Sequence, residues 1–98
     1  MLAAAMSPTV LRKGPYRFFF FSSDRGEPAH VHVRRERKVA KVWIDPVRVE
    51  YNDGYRSAEL ARVVGLVREH QADLLRGWHE FFISFDHESS GKKRPGNA

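Results

Sequence analysis

The chain has 98 residues, 42% of them hydrophobic, enough for one modest core and too few for two. It contains no cysteine, so disulfides, thiolate zinc sites and a cysteine nucleophile are excluded, and any metal has to be held by His, Asp or Glu. The net charge of +5 favours polyanions or an acidic partner, and no apolar run approaches the ~20 residues that cross a bilayer. With no secretion signal in Met1-Leu2-Ala3-Ala4-Ala5, the sequence predicts a soluble, cytoplasmic protein with no membrane association.

A single α+β domain is expected over residues 7–86: an antiparallel sheet of about five short strands, then two C-terminal helices packed on one face. Thr9 to Arg12 is a short strand, and Lys13-Gly14-Pro15 turns it into Tyr16 to Ser22. That second strand is aromatic on both sides, with Tyr16, Phe18 and Phe20 on one face and Arg17, Phe19 and Phe21 on the other. Helices on one face leave the other to a subunit, a loop or a ligand, so a homo-oligomer or a hetero-complex is expected.

After a polar loop from Ser23 to Glu27, Pro28 introduces Ala29-His30-Val31-His32-Val33. Strand alternation puts both imidazoles on one face, roughly 6.8 Å apart along the strand, and both valines on the other. His30 to Arg34 pairs with Val39 to Ile44 across a charged tip at Arg35 to Lys38. Val31, Val33, Ala40, Val42 and Ile44 then make the core face, leaving His30, His32 and Arg34 near Lys41 and Trp43 on the other.

Pro46 opens a last strand with Val47, Val49 and Tyr51 inward, closed by Asn52-Asp53-Gly54. Ser57 reads as an N-cap with Glu59 in the first turn, and Leu60, Val63, Val64 and Val67 form a helical stripe. Gly65 costs that helix ~1 kcal/mol, which close packing of another backbone there would offset. Leu74, Trp78, Phe81, Phe82 and Phe85 form a second stripe. An unbroken helix through both would run about 45 Å, so a turn is expected near His70. His79 and Glu80 fall on the solvent side. Residues 87–98 read as a disordered basic tail.

Three chemistries fit the histidine face. In the first, His30 and His32 act as the base and acid of a metal-independent ribonuclease, using the 2′-hydroxyl as internal nucleophile. Arg17 and Arg34 stabilise the phosphate charge and Trp43 or Phe19 stacks a base. Phosphate contacts extend to Arg35, Arg37, Lys38 and Lys41, which crowd one segment with only Glu36 against them. In the second, His30 and His32 ligate a divalent metal, with a third ligand from Glu27, Asp45, Asp24 or a distant His. No other cofactor is expected. In the third, the face is a non-catalytic protein-interaction module.

Pro8-Thr9-Val10-Leu11-Arg12, Tyr16-Arg17-Phe18-Phe19-Phe20, Glu27-Pro28-Ala29-His30-Val31-His32-Val33, Ala40-Lys41-Val42-Trp43-Ile44-Asp45-Pro46 and Trp78-His79-Glu80-Phe81-Phe82 occur in this order. Together they resemble the small bacterial domain of unknown function 4160, from about Met6 to Phe85. The resemblance implies a component of a toxin-antitoxin-like module, partnered by a small protein encoded beside it; the reading of the residues adds the expectation that it acts through its His30/His32 face on RNA or on that partner. The family's Pro-x-His-x-His pattern falls on Pro28, His30 and His32 and carries no assigned catalytic role. The tip Arg35-Glu36-Arg37-Lys38 departs from the Gly or acidic residues of related chains.

Overall fold

A computed structural model describes residues 9–90, with side chains as far as Ile83. Its five strands are β1 (Thr9–Lys13), β2 (Tyr16–Phe19), β3 (His30–Arg35), β4 (Lys38–Ile44) and β5 (Val47–Asp53), and two helices follow, α1 (Ser57–Glu69) and α2 (Gln71–Ser90). The strands form one antiparallel sheet in the order β1-β2-β3-β4-β5, so the expected α+β architecture is the observed one. Three two-residue turns set the registers: Gly14-Pro15, Glu36-Arg37 and Asp45-Pro46. Gly14 and Glu36 take the positive φ values, 57° and 58°, that tight hairpins need, and the Asp45–Pro46 peptide is cis.

The core lies between the sheet and the helices. Phe18, Val31, Val33, Ala40, Val42 and Ile44 are fully buried on the inner face, as alternation required, and Val63 and Val67 of α1 meet them. Apart from Ala40, each such side chain contributes roughly 1.5–3 kcal/mol by leaving water. Helix α1 ends at His70, whose N–H returns to the Leu66 carbonyl. The His70 carbonyl accepts the Leu74 N–H and so starts α2, placing the break where the polar gap between the stripes predicted it. Gln71 then donates to the Ile44 carbonyl at 2.7 Å, tying the start of α2 to the end of β4. From there Leu74, Trp78 and Phe82 are buried, and Trp78 packs on Phe20 with ring centroids 5.2 Å apart. His79 and Glu80 are exposed, as expected.

Several local expectations differ from the structure. Strand β2 stops at Phe19, because the chain turns into a short 3-10 turn at Ser22–Asp24. Tyr51 faces outward: between Lys41 and Val42 the β4–β5 register slips by one residue at Glu50, and a one-residue slip reverses every later side chain. Ser57 lies inside the first turn of α1; Arg56 occupies the cap position and makes no side-chain cap. Gly65 has open space where a Cβ would stand, so no backbone packs there; Gly77 is the glycine that faces an aromatic ring, that of Phe20. Of the expected domain limits and tail, residues 7–8 and 91–98 lie outside the described residues, and α2 continues past residue 86 to Ser90.

Candidate functional site

His30 and His32 share the outer face of β3, and the segment after β2 is folded over them. Beyond Phe21 the 3-10 turn brings Asp24 back so that its Oδ2 accepts the Phe21 N–H at 3.1 Å. Gly26, with φ of 98°, and Pro28 then return the chain to β3. The same Asp24 oxygen lies 3.0 Å from His30 Nε2 and 3.1 Å from His32 Nε2. One carboxylate thus meets both imidazoles. On the far side of its ring, His30 Nδ1 is 3.0 Å from the Pro28 carbonyl and 3.7 Å from a Glu27 carboxylate oxygen. A carbonyl only accepts, so Nδ1 carries the hydrogen. In the neutral ring that leaves the Nε2 lone pair facing Asp24, and this buried nitrogen has no hydrogen-bond partner.

Aromatic rings enclose the cluster. Phe19 stacks on His32 at 5.5 Å and Phe21 meets its edge at 4.6 Å, while Trp43 and Trp78 flank His30 at 5.4 and 5.0 Å. The two imidazoles themselves are 5.2 Å apart, nearly perpendicular. Relative exposure is 0% for His30, 5% for His32 and 8% for Asp24. The pair is therefore not displayed on an open face: the chain's own loop and Trp78 supply much of the cover expected from a partner. Burial holds the His32 pKa below its ordinary 6.5, against the pull of Asp24 in the other direction, with His30 and Lys41 adding to the depression.

The cationic residues separate onto two faces. Arg35 and Lys38 lie opposite one another at the tip end of β3 and β4, on the helix side, and both contact Glu59 of α1 at 2.7 Å. Tyr16 donates to the same carboxylate, also at 2.7 Å. Lys38, then Tyr16 and Arg35, hold Glu59 down at about 2. These two cations do not join the histidine face. Arg37 is exposed at the tip.

On the outer face, Arg12, Arg17 and Arg34 stand directly opposite one another on β1, β2 and β3. Arg17 lies over the Phe19 ring and donates to Thr9, and Arg34 donates to the Glu36 carbonyl at 3.4 Å. The next row is Thr9, Phe19, His32, Lys41 and Tyr51, and the third pairs His30 with Trp43 and Arg48. Lys41 binds Glu27 at 2.9 Å and lies over Trp43, whose indole N–H donates to Glu50.

Asp24 stood in sequence only as one of four ligand candidates, because its position depends on a turn that carries no strong marker. Arg12 and Glu59 were missed. Reading Lys13-Gly14-Pro15 as a three-residue turn set Arg12 against Tyr16, whereas the observed two-residue turn sets it against Arg17; the parity of Arg35 with Val33 was already enough to send Arg35 to the helix side.

The profile of the family described as Domain of unknown function (DUF4160) matches residues 16–79. The chain belongs to the DUF4160 family. The matched part of this DUF4160 domain holds Asp24, His30, His32, Glu59 and Trp78, whereas β1 and Arg12 precede it. No curated protein and no solved structure matches the chain. Among the described residues of the domain, no helix is long and apolar enough to cross a membrane.

Proposed function

We propose that this DUF4160 protein binds RNA on the outer face of its sheet, as one component of a toxin-antitoxin-like module. The observation that carries the reading is the row Arg12, Arg17 and Arg34. The register sets the exposed Arg12 and Arg34 on either side of Arg17, so one face gathers basic groups from three neighbouring strands, an arrangement that suits a polyanion. Elsewhere on this face, Tyr51 in the next row is 47% exposed and Phe21, past the end of β2 against His32, 36%, which gives bases two rings to stack on, each worth about 1–3 kcal/mol. The module setting is carried over from what the sequence resemblance implies.

Binding is favoured over strand cleavage. An acid and a base must come within hydrogen-bond reach of the scissile group, and His30 is sealed beneath Trp43, Trp78 and Asp24. In this reading the imidazoles form the floor under the surface and are not its reactive groups.

Fluorescence anisotropy of a labelled single-stranded RNA with tag-free protein tests the reading. Three phosphate contacts give a slope of about −2 for log K against log salt, and Arg12→Ala or Arg34→Ala each reduces it by about 0.7. Absence of binding at low salt by folded protein, or equal slopes in wild type and both variants, overturns it. A salt-tolerant complex with the neighbouring small protein in the absence of RNA binding would assign the face to protein interaction instead.

A further inference from the structure

We infer that Asp24, His30 and His32 form a binding site for one first-row divalent transition-metal ion, which locks the loop after β2 onto β3. One donor atom from each residue lies within 4.8 Å of the other two. Around an ion with bonds of about 2.0–2.2 Å, adjacent donors sit about 2.8–3.6 Å apart. Asp24 Oδ2 already stands at that spacing, 3.0 Å from His30 Nε2 and 3.1 Å from His32 Nε2.

The second observation is independent of the clustering. His30 Nδ1 is committed to the Pro28 carbonyl, the arrangement by which a protein fixes the tautomer of a ligating imidazole and aims its other nitrogen at the metal. That other nitrogen is fully buried, without a hydrogen-bond partner, and opposed by a carboxylate oxygen. Two acceptors face to face in an apolar enclosure repel unless a cation lies between them. Asp24 is oriented in its turn by the Phe21 N–H, a further outer contact of the kind that supports a metal ligand.

The donor set selects the ion class. Two imidazoles and one carboxylate suit Zn²⁺, Fe²⁺, Co²⁺ or Mn²⁺; thiolate-seeking Cu⁺ finds no sulfur, and Ca²⁺ and Mg²⁺ prefer all-oxygen shells. Because the ligands come from the loop and the strand, the bound ion cross-links two segments that also meet through hydrogen bonds, carboxylate–imidazole contacts and ring packing.

The test uses full-length, tag-free protein freed of metal and titrated with Zn²⁺ and Co²⁺ by calorimetry and visible absorption. One ion per chain is expected, with Kd below about 10 µM and a Tm rise of at least about 5 °C at hundredfold excess over Kd. Asp24→Asn and His32→Gln, each confirmed folded by circular dichroism, should weaken binding at least about tenfold, while His79→Ala on the exposed side of α2 changes nothing. Failure of folded wild type to bind an ion, or equal affinity in wild type and Asp24→Asn, overturns the site. If both variants unfold, Mn²⁺ added to wild type decides. Paramagnetic broadening centred on His30 and His32 supports the site, and broadening confined to His70 and His79 overturns it.

Discussion

The Tyr16 hydroxyl donates to Glu59 Oε2 at 2.7 Å, joining β2 to the first turn of α1 across 43 residues of sequence. Arg35 and Lys38 converge on the same carboxylate, so one acidic side chain of α1 gathers three strands, β2, β3 and β4.

Glu59→Gln should therefore alter the acid limb of stability. Glu59 is held at about 2, below its ordinary 4.5, so its contribution is complete above pH 4.5 and disappears as pH falls toward 2. Melting temperatures of wild type and Glu59→Gln should differ most at pH 6 and converge near pH 2. Parallel profiles across that range would show that the carboxylate contributes nothing as an ion.

Three glycines should respond differently to alanine. Gly65 is exposed in mid-helix with nothing within 4 Å of the methyl that alanine would add, so Gly65→Ala should stabilise by ~0.5–1 kcal/mol, a Tm gain of roughly 4–8 °C per kcal/mol. At Gly77 the new methyl stands 3.7 Å from Phe20, an ordinary contact, and a similar gain is expected. Gly54→Ala should destabilise, because φ is 107° and the methyl would come within 2.9 Å of Lys38 Cγ. Thermal melts of the three variants check the order.

Tyr55 is buried between the sheet and α1, with its hydroxyl donating to the Val33 carbonyl at 3.0 Å. Removing that hydroxyl in Tyr55→Phe should cost about 1–2 kcal/mol by denaturant titration. Burial and the Glu59 charge push its pKa up from 10.0 to about 12. The folded state thus keeps the neutral phenol: stability is complete below pH 10 and lost as pH rises from 10 through 12. Loss of stability in that window should be smaller in Tyr55→Phe than in wild type.

Trp78 connects the core to the histidine cluster, packing on Phe20, Phe82 and His30 at 5.2, 4.5 and 5.0 Å. Trp78→Ala should cost about 3–5 kcal/mol and open His30 to solvent. Faster hydrogen exchange at the start of β3 than at its Arg35 end would report the opening; uniform exchange along the strand would argue against it.

Much of this fold was legible because period-two alternation in Val31, Val33, Val42 and Ile44 leaves only one face for the core. The break at His70 was legible from the gap between two stripes. Tyr51 was misplaced because the slip at Glu50 has no compositional marker; neither Gly nor Pro announces it. The site was half legible. His30 and His32 share a face by strand geometry alone, but their enclosure comes from Asp24 and Phe21 in a loop and from Trp78 far along the chain in α2, none of which spacing can bring together. The cluster of Arg34, Arg35, Lys38 and Lys41 looked like one surface in sequence and is divided by the sheet itself, Arg35 and Lys38 lying on the helix side and Arg34 and Lys41 on the outer face.

The strand order has a kinetic consequence. Each strand pairs with the one just before it, so every hairpin closes a short loop and loses little chain entropy before its contacts form. Such local topology favours rapid zippering of the sheet. The docking of α2, which sets Trp78 against Phe20 and His30 from far along the chain, closes longer loops than the two-residue hairpins do, and it is this long-range contact that completes the cover of His30.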